Sequence, residues 1–177
     1  MKKTVTYADW CNLFERFGNG DDTVLDEMNC GSFDLDAGTA ERFHNQAEEA
    51  YKTRKKLWLE KFQRSFETQN IKSADHFGMV LLTAKKNLIP LSKLSQAKGL
   101  PEDLKTVFKK DLEEFVGEIK KSLNENLPKT GNDKEKMILI INSFRLPENV
   151  EANPVQNDSK NIESSPLRRK LSFNHVK

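Results

Sequence analysis

The chain has 177 residues and 20.4 kDa, with 29 Lys and Arg against 27 Asp and Glu, a net charge of +2. At 32% charged and 36% hydrophobic, with Met137 to Ile141 as its longest uncharged apolar run, it excludes a membrane-spanning helix, a collagen-like repeat and a wholly disordered chain. Two cysteines exclude a disulfide scaffold, and the near-neutral balance excludes histone-like or polyacidic character.

Nearly every segment before residue 147 reads as helix. Trp10, Leu13, Phe14 and Phe17 recur at i, i+3, i+4 and i+7, with Thr6 placed to cap the first helix. Gly18 and Gly20 end it. Asp21 and Asp22 then introduce a shorter helix with Val24, Leu25 and Met28 on its apolar face, stopped by Gly31. Asp36 opens the longest periodic segment, from Ala37 to Gln69. Phe43, Ala47, Tyr51, Trp58, Phe62 and Phe66 form its stripe, with Leu57 beside it. Arg54 and Lys61 fall inside that stripe, so they are expected to snorkel or pair at the edge of the core.

Ser73 is the next expected cap, before a helix carrying Phe77, Val80, Leu81 and Ala84. Pro90 predicts a kink or a restart near Leu88, and Leu91 and Leu94 continue the apolar face to Gly99. Pro101-Glu102-Asp103 starts a further helix with the stripe Leu104, Phe108, Leu112, Phe115, Ile119 and Leu123, weakened modestly by Gly117. Asp133 or Thr130 caps a last helix holding Met137, Ile138, Ile141 and Phe144, for which a strand is the alternative. The fold expected is all-α: one bundle of five to seven helices over 1–146 with a long central helix. From Pro147 the periodicity stops, and 147–177 reads as a flexible tail.

Charge is unevenly placed. Residues 1–41 hold nine acids and three bases, a net of −6, which leaves +8 on the remainder. Bases concentrate at Lys52, Arg54, Lys55, Lys56, Lys61 and Arg64 on the long helix, a candidate face for an acidic partner. The tail presents Arg168, Arg169, Lys170, Leu171 and Phe173 as a candidate contact segment next to Ser172. Leu91 to Gly99, followed by Leu100 and a helix reaching Phe108, has the outline of a DNA-binding helix-turn-helix. Lys98 and Lys105, at positions the motif buries, favour a plain helical hairpin.

Constellations for chemistry are thin. Glu41 and His44 have the E-x-x-H spacing of di-iron bundles, but no second copy exists, and Glu48 is placed to pair with His44 instead. Phe17 to Asp22 resembles a calcium loop superficially and lacks its alternating oxygen ligands. No nucleophile elbow or phosphate-cradling glycine loop occurs. No catalytic residue, metal ligand or cofactor site is therefore assigned. Met1-Lys2-Lys3 leads into polar residues rather than an apolar stretch, and Cys11 and Cys30 form no motif, so a reducing cytoplasmic setting is expected, with Cys11 in the core. The expected role is that of a regulator or adaptor acting through another protein, without a membrane. The alternative is a nucleic-acid-binding regulator using the long basic helix or the 91–108 segment.

Overall fold

The computed structural model describes residues 6–30, 36–68, 71, 73–127 and 133–146. The stop at Gly31, the Thr130 cap and the whole of 147–177, including the five tail contact residues, lie outside them. The described residues form six helices and no strand: α1 (Tyr7–Gly18), α2 (Val24–Cys30), α3 (Ala37–Thr68), α4 (Ala74–Leu94), α5 (Glu102–Glu125) and α6 (Asp133–Ser143). They build the helical bundle that the periodicity predicts.

Local chemistry accounts for the helix ends. The Thr6 hydroxyl accepts from the Asp9 amide while the Asp9 carboxylate accepts from the Thr6 amide, a reciprocal capping box. Gly20 has φ +105°, a left-handed turn that releases the chain toward α2. Asp36 accepts from Thr39 at the start of α3, and Ser73 accepts from His76 at the start of α4. Asp133 does not only begin its own helix. Its carboxylate also accepts from the Ala74 amide, satisfying a first-turn donor of α4 from 59 positions away.

The 32-residue α3 is about 48 Å long at the usual helical rise and serves as the spine. Phe43, Ala47, Ala50, Tyr51 and Trp58 are buried along it, while Phe62 and Phe66 are covered only in part. Trp10, Phe14 and Phe43 form one ring cluster, with centroids 5.2 to 5.6 Å apart. Tyr51 stacks on Phe108 at 4.5 Å, and Trp58 meets Phe115 edge-on at 5.4 Å, joining α3 to α5.

Helices α1 and α4 pack directly on the spine. The short α1 packs most extensively on α3, where Gly18 faces Ala50 and Thr53. Helix α5 is held farther off by the intervening aromatic rings, and itself packs against α4 and α6. Pro90 neither interrupts nor restarts α4, which continues to Leu94. It lies within the last five residues of the helix, where the lost amide and the ring's conflict with the Lys86 carbonyl are offset by burial of Leu88, Leu91 and Leu94. The Met137–Ile141 run is helical, with Met137, Ile141 and Phe144 in the core.

Gly117 lies on an exposed stretch of α5, where an added methyl group meets nothing within 4 Å. Gly117→Ala is expected to stabilise the fold by about 0.5–1 kcal/mol, since it removes unfolded-chain freedom and adds no clash. A rise in the urea midpoint with unchanged slope is the check.

Candidate partner-binding surface

The six candidate cations of α3, Lys52 to Arg64, do not share one face. At about 100° per residue they spread around the whole circumference of the helix. Arg54 and Lys55 flank the buried stripe on opposite sides. The Arg54 side chain is only 11% exposed. It pairs with Asp22, donates to the Phe17 carbonyl at 3.2 Å and lies 5.3 Å above the Phe17 ring. Lys55 donates to Asp111 at 2.6 Å and approaches the rings of Tyr51 and Phe115. Lys52 pairs with Glu48 on its own helix. Lys56, Lys61 and Arg64 are exposed. Arg54 therefore pairs at the core edge as its position predicts, and it ties the acidic α1–α2 connection to the spine.

The other sequence candidates resolve similarly. His44 lies 3.5 Å from Asp103, so its partner is α5 rather than Glu48. Asp21 and Asp22, in the stretch that resembles a calcium loop, are engaged by Arg16 and Thr23 and by Arg54. No group of three or more metal-ligating side chains occurs among the described residues. Cys11 is half-buried rather than in the core, Cys30 is exposed, and neither is in a disulfide. In the 91–108 segment Lys98 is exposed, while Lys105 pairs with Glu102. Gly99 serves close packing against Trp10 and Met28.

Two adjoining clefts lie between α3 and α4. The larger, about 230 Å³, has Trp58, Phe62, Val80 and Ala84 on its apolar side and Lys61, Ser65, His76, Thr83 and Asn87 as polar lining, with Met79 at its edge. The Trp58 indole is fixed there by donating to the Ala84 carbonyl at 3.0 Å and by stacking on Phe62 at 4.9 Å. The smaller cleft shares Trp58, Lys61 and Asn87 and adds Arg54, Lys86 and Asp22. Among the described residues, neither Lys61 nor Lys86 has an ion-pair partner. Met79 and Leu82 of α4 are 69% and 55% exposed, and Leu139 of the adjacent α6 is 69% exposed. A third groove, between α1 and α3, is lined by Asn12, Asn19, Gln46, Glu15 and Glu49 beside Cys11 and carries no base.

Periodicity located the walls of the α3/α4 groove without revealing it as a site. Trp58, Phe62 and Val80 read as core positions, and only Met79 and Leu82, apolar on the outward side of α4, were a usable signal. Comparisons with protein-family models, curated proteins and solved structures found no match. No helix among the described residues is long and apolar enough to cross a membrane.

Several carboxylates are tuned by their partners. Burial alone lifts the Asp111 carboxyl, but the hydrogen bonds from Lys55 and from Tyr51, the latter at 2.7 Å, outweigh it and hold the group below the usual carboxylate range. Burial and the same Asp111 contact push the Tyr51 hydroxyl up. Asp21 is lowered by Thr23 and Arg16, and Asp36 by Thr39. Groups whose folded pKa is depressed stabilise fully above the unfolded value, about 3.9 for Asp, and lose that contribution as pH falls through the folded value. Asp111→Asn is thus expected to flatten the acid limb of the stability profile below about pH 4. Urea titrations between pH 2 and 7 test this: an acid limb as steep as that of the parent chain contradicts the assignment.

Proposed function

We propose that this protein works without catalysis in the cytoplasm, as a regulator or adaptor that binds another protein through the α3/α4 side of the bundle. The observation that carries this reading is the aromatic-floored groove between α3 and α4, bordered by Met79, on a helix that also exposes Leu82 and packs against α6 with its exposed Leu139. Isolated exposed apolar residues are ordinary on protein surfaces, but a groove with a rigid aromatic floor and apolar neighbours has the composition of a contact site. The two unpaired cysteines support a reducing compartment.

Nucleic acid binding is the weaker reading. Phosphate tracking calls for a continuous basic strip, whereas the α3 cations are dispersed around the helix and Arg54, Lys55 and Lys52 are each engaged by a carboxylate. Helix α5 carries seven acids against five bases, a poor balance for a recognition helix.

The test is affinity purification of the full chain from the cells that make it, alongside a Met79→Glu, Leu82→Glu variant of equal melting temperature. A stoichiometric protein partner, lost with the variant, is the expected result. A strict monomer with no partner overturns the proposal. A duplex-DNA mobility shift that weakens steeply with salt transfers preference to the second reading.

A further inference from the structure

We infer that the α3/α4 groove receives an acidic helical segment of the partner, with one bulky apolar side chain against Trp58, Phe62 and Val80 and a carboxylate between Lys61 and Lys86. This rests on the protein-binding reading and specifies its site and the chemistry of its partner.

Arg54 and Lys55, close to the core, are each held by a carboxylate. Lys61 and Lys86 line the groove from opposite helices, and neither has such a partner among the described residues. The larger cleft carries no carboxylate at all. The smaller has Asp22, and Arg54 already engages it. An incoming basic segment therefore meets two ammonium groups and no available acid, while an acidic one finds both. The two clefts share Trp58, Lys61 and Asn87, so an apolar anchor and its carboxylate need be only about one helical turn apart. That spacing is what an amphipathic helix laid into a groove presents. Met79 at the edge adds an adaptable apolar contact.

Phosphodiester is a poorer occupant. Two ammonium groups beside an aromatic floor offer one anchoring point rather than a track.

The test places a photo-crosslinking amino acid at Thr83 in the full chain, expressed in the cells that make it. Parallel positions are Leu139 on α6 and Glu49 in the α1/α3 groove. The expected result is a protein adduct from Thr83 whose crosslinked peptide holds more Asp and Glu than Lys and Arg. Its yield should fall at least ten-fold in a Lys61→Glu, Lys86→Glu variant, with recovery when the mapped acids of the partner are changed to Lys. Both lysines are exposed and have no ion-pair partner among the described residues, so the variant should melt with the parent chain, and the melting temperature is measured alongside. Adducts from Leu139 or Glu49 without any from Thr83 overturn this site while protein binding stands. A Thr83 adduct that maps to a basic segment or to nucleic acid, or that survives charge reversal, overturns the acidic partner. No adduct at any position overturns both.

Discussion

Gly99→Ala is expected to destabilise the protein by about 3 kcal/mol, the opposite sign to the same change at Gly117. A Cβ on Gly99 falls well inside contact distance of the Met28 carbonyl oxygen and 2.7 and 2.8 Å from Cη2 and Cζ2 of Trp10. None of these atoms is the free end of a flexible side chain. The Met28 carbonyl belongs to the last turn of α2, and the Trp10 ring is fully buried against Phe14 and Phe43. Relief therefore requires α2 or the 95–101 connection to move, and that connection is also tied to α2 by the Lys98 amide donating to Asn29. Gly99 does not have a left-handed backbone, so alanine brings no conformational strain and even restricts the unfolded chain, a gain of about 0.4–1 kcal/mol. Overpacking costs about 1–3 kcal/mol and sometimes more, and with rigid neighbours it wins. Urea unfolding of the two alanine variants side by side is the measurement; equal midpoints for both contradict the close approach at Gly99.

The second large effect is at Trp58. Trp58→Ala is expected to cost about 3–5 kcal/mol, a large fraction of a typical total of about 5–15 kcal/mol. One side chain here joins three helices: it sits on α3, bonds to the Ala84 carbonyl of α4 and packs edge-on against Phe115 of α5. Its loss opens a space at the back of the α3/α4 groove, beside the partly covered Phe62. Trp58→Phe keeps a ring between Phe62 and Phe115 and loses the indole hydrogen bond, so a smaller cost of about 1–2 kcal/mol is expected. Calorimetric melting temperatures should rank the parent chain first, phenylalanine next and alanine last. If alanine matches phenylalanine, the ring is not the contact that joins the helices. The phenylalanine variant also separates stability from binding, because it retains the groove floor while the fold remains largely intact.

Trp10 marks the opposite case. Its indole nitrogen is buried with no hydrogen-bond partner among the described residues, so its value to the fold lies in ring packing alone. Trp58 has both a packed ring and a satisfied donor.

How much of this was legible in the chain differs by feature. Apolar recurrence at 3.6 residues determined the six helices and most of the core, because burying one face is the chief reason a segment of this length is helical at all. Thr6, Asp36 and Ser73 were readable as caps, since each bonds to an amide three residues along its own chain. Asp133 was not readable as a cap for α4, nor Asp103 as the partner of His44, because those partners are distant in sequence. The net charge of +2 gave no warning of how its parts are spent. Composition separates an acidic head from a basic remainder, and only packing decides that Arg54 answers Asp22, that Lys55 answers Asp111, and that Lys61 and Lys86 face a groove with no ion-pair partner among the described residues. Periodicity assigns a residue to a face of its own helix. Which helix that face meets, and which charges are left over when it does, are properties of tertiary structure because they depend on distances between residues that the chain order does not contain.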